Sequence, residues 1–222
     1  MSEKRPIDID EAIPKLRQAV SSFPKAAMFA LAEEGYTSPF EQLISCIISI
    51  RTYDEVSLPV SRSLFAVANT PVAMSNLSVE EIETLIDQST YAKRKAGRIK
   101  AIAEQIVKEY DGVLPCDEEV MLNFKGVGVK CAHLTLGIAC GQPSISVDVH
   151  VHRVTNRWGY VETKTPEKTT VTLENKLPKK YWTEINSLLV PFGKHICTGK
   201  LPRCSSCSLL GMCQRVGVGK NR

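Results

Sequence analysis

The 222-residue sequence predicts an all-α protein. Apolar residues recur at helical spacing along most of the chain, alternating strand patterns are nearly absent, and the breaks carry helix-start and helix-stop residues. Leu43, Ile44, Ile47 and Ile48 follow Pro39, a residue suited to the first turn of a helix. Amphipathic helices are expected over Pro59 to Val67, over Val79 to Gln88 with Ser78 as N-cap and Glu80-Glu81 in the first turn, and over Lys95 to Glu109. The last should end near Tyr110-Asp111-Gly112. Asp117, followed by Glu118-Glu119, opens a short helix, and Cys131 to Ala139 forms one so apolar that it belongs at the centre of a domain, stopped by Gly141-Gln142-Pro143. Val147, Val151, Val154 and Trp158 mark one face of a further helix, and Trp182, Ile185 and Leu189 another. The stretch from Thr163 to Thr172, rich in Thr and Lys, reads as an exposed linker. There is no internal repeat and no low-complexity tract.

Composition narrows the class. Hydrophobic residues make up 43% of the chain, enough for a real core in one large or two small domains. No apolar run follows Met1-Ser2-Glu3-Lys4-Arg5, and no segment approaches the roughly 20 apolar residues needed to cross a bilayer, so a cytosolic chain with no membrane contact is expected. Thiols stay reduced there, and the eight cysteines therefore suggest metal ligation plus buried free thiols rather than a disulfide framework. Cys46, Cys131 and Cys140 lie in apolar helical surroundings and read as core; Cys116 begins a polar segment and has no assigned role. A net charge of +4 is weak evidence for nucleic acid, and the local basic clusters carry more weight.

The C-terminal cysteines are the clearest chemical signal. Cys197-x6-Cys204-x2-Cys207-x5-Cys213 places four thiolates within seventeen residues, among Lys194, Lys200, Arg203 and Arg215. Such a set can close around one soft centre. A zinc ribbon usually offers two C-x2-C knuckles and this segment has one, whereas a cubane accepts longer arms. A [4Fe-4S] cluster is therefore favoured over zinc, with disulfide pairing a third reading.

Phe124-Lys125-Gly126-Val127-Gly128-Val129-Lys130 lies between two helices. Glycines one residue apart allow a tight hairpin whose N–H groups point outward, and the next helix adds its positive end, so the turn can grip a phosphate without reading a base. An ordinary interhelical turn would look similar. Lys130 stands at the start of that helix, where the dipole and an apolar neighbourhood both disfavour an ammonium; a fraction of free amine would be a usable nucleophile, although a phosphate contact is the plainer role. Ser146-Val147-Asp148-Val149-His150 enters the following helix with Asp148 at a natural N-cap, a position that keeps a carboxylate charged. His150 is expected to make a structural hydrogen bond and His152 to be exposed or to face DNA.

Gly126-Val127-Gly128-Val129-Lys130, then Ser146-Val147-Asp148-Val149-His150 with Arg153 and Asn156-Arg157, then the four-cysteine spacing, resemble in order the endonuclease III family of DNA glycosylases. Pro39 to Ile44, Asn69 to Met74 and Lys95-Ala96 are also similar to that family's pattern. The resemblance implies the helix-hairpin-helix DNA glycosylase fold, with a central helical domain over 32–142. A cluster domain would be built from both chain ends, 1–31 and 143–222, with the C-terminal [4Fe-4S] loop held by Cys197, Cys204, Cys207 and Cys213. It implies a monomer that grips double-stranded DNA across a cleft, and base excision repair of damaged, expectedly oxidised, pyrimidines and of abasic sites. Lys130 would be the Schiff-base amine and Asp148 its essential carboxylate. A damaged base must leave the stack before it can be attacked, so the fold must wedge the duplex and offer a pocket. Gly126, Val127 and Gly128, with Lys200 and Arg203 in the cysteine loop, are the expected phosphate contacts.

Some positions depart from that pattern. Arg51 stands where the family commonly has a gap-filling glutamine; its paired donors suit guanine best. Tyr91 stands where a bulky apolar wedge is expected, Phe124-Lys125 replaces Leu-Pro, and His133 replaces an asparagine. The alternatives are a monofunctional mismatch or damaged-base glycosylase of the same fold, which would not need Lys130, and a noncatalytic iron-sulfur DNA-binding module, which would not need Lys130 together with Asp148. An iron-sulfur electron carrier would leave the glycine hairpin unexplained. The expected compartment is cytoplasmic, or nucleoid-associated in a bacterium.

Overall fold

The computed structural model describes residues 5–222, so the first four residues of the expected cluster domain lie outside the description. Among the described residues there is no strand. The helices are α1 (Ile9–Val20), α2 (Ala27–Glu33), α3 (Pro39–Ser49), α4 (Asp54–Val67), α5 (Pro71–Asn76), α6 (Val79–Leu85), α7 (Ala92–Glu109), α8 (Glu118–Asn123), α9 (Val129–Ala139), α10 (Val149–Trp158), α11 (Pro166–Lys176) and α12 (Trp182–His195). None of them is long and apolar enough to cross a membrane.

The starts are set by local capping. Ser38 and Glu41 form a reciprocal capping box in front of Pro39, and Ser78 and Glu81 form another. Each satisfies two N–H groups that the helix itself leaves unpaired. Asp8, Thr70, Asp117, Asp148 and Thr165 each accept from a first-turn N–H.

Two compact units result, one of Ala26–Ser144 and one of the described residues up to Lys25 together with Ile145–Arg222. In the first, α3 is buried from Phe40 through Ile48 and packs against α4, α7 and α9. Leu43, Ile44, Cys46 and Ile48 are wholly buried, as are Ile99, Ala103 and Ile106 of the facing α7. Burying one such side chain contributes about 1.5–3 kcal/mol, so this face holds the unit together. In the second, α1 returns to pack on α12, and Ile13, Leu16, Val151, Val154, Trp158, Ile185, Leu189 and Phe192 form the core. Arg17 grips Glu184 through two bonds of 2.7 and 2.8 Å, and Tyr181 donates to Asp10 over 2.6 Å. These surface pairs fix the angle of the chain end more than they stabilise it.

Three expectations are corrected. Thr163 to Thr172 is not a linker: Thr165 caps α11, which buries Thr169, Thr170 and Leu173. Its apolar face is supplied largely by threonine methyl groups. The second helix expected to start at Pro59 begins at Asp54, with Pro59 inside it. Most consequentially, Cys46, Cys131, Cys116 and Cys140 are not free thiols. Cys46 pairs with Cys131 and Cys116 with Cys140, their Cα atoms 5.7 and 5.8 Å apart. Helices α3 and α9 pack closely enough to bring the first two together, and the segment before α8 returns to the end of α9 for the second.

The Cys116–Cys140 bond closes α8, the hairpin and α9 into one loop, a constraint that removes unfolded-state entropy worth about 3 kcal/mol. Alkylation of the protein unfolded without reductant should therefore modify Cys197, Cys204, Cys207 and Cys213 but spare the other four, and reductant should lower the melting temperature. Eight alkylated cysteines would rule the pairing out.

Candidate active site and cysteine centre

In the unit formed by 26–144, Phe124 is sunk in the core and anchors the hairpin, whose Val127 N–H donates to Phe124 O at 3.0 Å. Gly126 has φ +88, and a Cβ there would lie 2.7 Å from Cζ of Arg98 on α7. The turn thus needs glycine for its conformation, and the Arg98 guanidinium is laid against it. Val127 is buried, so only its backbone is available to a ligand. Gly128 precedes α9, and no side chain caps that helix start. Lys130 is the second residue of α9 and half-buried. His133, further along the same helix, is buried with Nε2 2.9 Å from Glu118 Oε1, which ties α9 to α8.

The same unit brings Arg51 and Tyr91 together. Both are exposed, both have left-handed backbones (φ 55 and 61), and both line a recess of about 290 Å³ with Ile50, Arg94, Lys95 and Arg98. Lys95 is buried beneath it and donates to Ile48 O at 2.6 Å and Thr52 Oγ1 at 2.9 Å. Burial pushes its ammonium down to about 8. The sequence held a signal for this residue: Lys95 continues the apolar stripe of Ile99, Ile102 and Ile106, where a charge is out of place. Nothing in the sequence pointed to Arg98 against the hairpin.

In the other unit, Asp148 caps α10 and accepts from the N–H groups of His150 and Val151, both at 2.9 Å and both on Oδ1. His150 Nδ1 lies 3.1 Å from Arg153 NH2, the structural bond expected of it. His152 is half-buried rather than exposed; its Nδ1 is 2.7 Å from Thr169 Oγ1 on α11. That threonine lies in the stretch misread as a linker, which is why the contact was not foreseen.

Two arginines of α10 hold the entry to the cysteine loop. Arg153 donates to Gly193 O and Cys197 O, and Arg157 to Thr198 O at 2.6 Å, Gly199 O at 2.9 Å and Cys197 Sγ at 3.4 Å. Burial pulls the Arg153 guanidinium below its ordinary value, with Arg157 adding to the effect. Cys197, Cys204, Cys207 and Cys213 are all partly buried, form no disulfide, and line one recess with Trp158, Phe192 and Leu210. Burial, reinforced by the neighbouring cysteine sulfurs, pushes the Cys207 thiol up to about 11. Among the described residues no group of three or more His, Cys, Asp or Glu side chains is placed to hold a single metal ion. Lys200 and Arg203 are exposed on the same loop.

Residues 44–179 match the model of the HhH-GPD superfamily base excision DNA repair proteins. The chain is 37% identical over 209 residues to endonuclease III of Thermotoga maritima, covering 93% of this chain and 95% of that one. It superposes on a non-covalent endonuclease III–DNA complex with a TM-score of 0.80 at 26% identity, over 93% of this chain and 94% of that one. A trapped endonuclease III–DNA covalent intermediate, the estranged-adenine complex, gives 0.78 at 28% identity over 94% and 97%. The chain belongs to the HhH-GPD superfamily of base excision DNA repair proteins and, within it, to the endonuclease III family. It is a DNA N-glycosylase and abasic-site lyase.

The two hairpin glycines should respond differently to substitution. Gly126→Ala forces a Cβ onto a left-handed backbone and into Arg98, and should cost about 1–2 kcal/mol of stability. Gly128→Ala meets no atom within 4 Å at an ordinary φ and should cost well under half as much. Denaturant unfolding of both variants checks the order, and equal losses would refute it.

Proposed function

We propose that the chain excises oxidised pyrimidines and then cuts the strand, with Lys130 as the amine nucleophile and Asp148 as the carboxylate that serves it. The observation that carries this reading is Lys130 in the uncapped first turn of α9, directly behind the Gly126–Gly128 hairpin. The hairpin N–H groups would hold a backbone phosphate beside the amine, without reading sequence. The neutral Nζ then attacks C1′ of the sugar, and the base leaves with the electron pair of the glycosidic bond and takes up a proton. The attached nitrogen then gives up one proton, its lone pair forms the iminium double bond to C1′, and the C1′–O4′ bond breaks with its electron pair going to O4′, which takes up a proton. The iminium ion acidifies the neighbouring C2′–H; its loss expels the 3′ phosphate, and hydrolysis returns the amine. Asp148 Oδ1 is occupied by the helix cap, so Oδ2 is the oxygen assigned to proton handling.

Arg51 and Tyr91 are proposed to touch the duplex from their shared recess, and Lys200 and Arg203 to contact phosphates. Cys197, Cys204, Cys207 and Cys213 would hold a [4Fe-4S] cluster. An all-thiolate donor set with no imidazole or carboxylate, gathered around one recess, suits iron-sulfur chemistry. When bound, such a cluster supplies a rigid cross-link for the loop. Purified protein should carry about four iron atoms per chain. Stoichiometric zinc without iron would overturn that assignment.

Borohydride reduction traps an iminium, so it tests the nucleophile directly. Lys130→Ala should abolish trapping and strand cleavage at an abasic site while leaving duplex affinity within a few fold, since one phosphate contact at most is lost. Asp148→Asn keeps a capping oxygen, so the protein should fold, but base release should slow by about 100-fold or more. A Lys130→Ala protein that still forms the adduct at the unmodified rate would place the nucleophile elsewhere.

A further inference from the structure

The recess lined by Arg51 and Tyr91 is assembled from two separate loops, and its least accessible cation lies where they meet. Residues 50–53 link α3 to α4, and residues 89–91 lead into α7. Each loop contains a non-glycine residue in the left-handed region, Arg51 at φ 55 and Tyr91 at φ 61. Side chains of that kind rarely sit there unless their surroundings over-determine the backbone, and such residues gather at ligand-handling sites. Here the surroundings are specific. Thr52 Oγ1 accepts both from Thr90 N–H at 3.1 Å and from Lys95 Nζ at 2.9 Å, so one hydroxyl spans the two loops. Lys95 Nζ adds a 2.6 Å bond to Ile48 O at the end of α3, and its own N–H donates to Tyr91 O at 3.0 Å. The amine is buried and the two residues above it are exposed.

We propose that Lys95 is a positioning residue: through Thr52 it locks the Arg51 and Tyr91 loops into one platform, and so sets the enzyme's preference for guanine opposite the lesion. The inference rests on the reading that Arg51 and Tyr91 contact the duplex, and adds what holds them and what they select. Arg51 is the group with the chemistry to discriminate, because its planar fork of donors matches the two adjacent acceptors of guanine, O6 and N7, and adenine offers only one of them. A fork discriminates only when its angle is fixed. Arg94, Lys95 and Arg98 line the same recess and repel the Arg51 guanidinium, which disfavours its collapse inward and keeps it presented to a base.

The test measures strand cleavage on duplexes carrying one abasic site opposite guanine or opposite adenine, as the ratio of kcat/KM values. The unmodified enzyme should favour guanine, and Arg51→Ala should lower the ratio about tenfold. Lys95→Met keeps the length of the side chain without its charge and should lower the ratio at least threefold. The double variant should fall no further than Arg51→Ala alone, as expected when one residue acts through the other. Should Lys95→Met fail to fold, Thr52→Val removes the shared acceptor at the surface of the same junction and should lower the ratio in its place. Thr52→Ser, which keeps the hydroxyl, should restore it, a rescue that a general loss of packing would not give. If Arg51→Ala leaves the ratio unchanged, or the unmodified enzyme has no preference for guanine, Arg51 does not read the opposite base. If Arg51→Ala lowers the ratio while Lys95→Met and Thr52→Val both keep it, Arg51 reads the base and the Lys95 lock is refuted.

Discussion

A helix buried on nearly every side ends in carbonyl groups that water cannot reach, and α3 is such a helix. From Phe40 to Ile48 each of its residues is buried, so the oxygen of Ile48 needs a donor from within the protein. Lys95 supplies it. A cation at a helix C-terminus is stabilised by the helix dipole, and the 2.6 Å bond to Ile48 O offsets only part of what the ammonium loses in hydration. With its value near 8, the amine is still predominantly charged at neutral pH. The same side chain fixes the loop after α3 through Thr52, while α7 carries Arg98 to the back of Gly126. The hairpin, the exposed arginine and tyrosine, and the central helix are therefore referred to one buried charge.

The other unit solves the same problem at the end of α12. Arg153 reaches Gly193 O in the last turn and Cys197 O just beyond it, and Arg157 continues along Thr198 and Gly199. A guanidinium offers five donors in a fixed plane, which suits it to a row of carbonyls that a lysine could serve only one or two at a time. The consequence is chemical as well as structural. The first cysteine of the centre is held by its backbone, independently of whatever its sulfur binds, and the loop that follows leaves from a defined point.

Legibility divides along the range of the interaction. Ser78, Asp117 and Asp148 are legible as helix starts because capping is decided within four residues, and the grouping of the four C-terminal cysteines because they lie within one short segment. Helix α11 was hidden because threonine counts as polar in any periodicity although its methyl group packs like valine's. The two cysteine pairs were hidden for a different reason. Connectivity is a property of which helices pack together, and apolar surroundings mark Cys46 and Cys131 as core without showing that α3 and α9 face each other. His152 was misjudged as a result of the first error, since its partner is Thr169 of α11.

The residues assigned to chemistry follow a rule that connects these points. Lys130 and Asp148 each stand at a helix start, but the two starts are finished differently. The α10 start is satisfied internally, because Asp148 spends one oxygen on two N–H groups and thereby fixes the direction of the other. The α9 start lacks a side-chain cap, because a glycine stands where a capping side chain would be. Glycine in place of a capping side chain costs only about a few tenths of a kcal/mol. Here the Cys46–Cys131 bond, in the turn that carries Lys130, and the packing of α9 on α3 offset that cost. Lys130 is therefore carried by a helix that the disulfide and its packing hold in place without a side-chain cap.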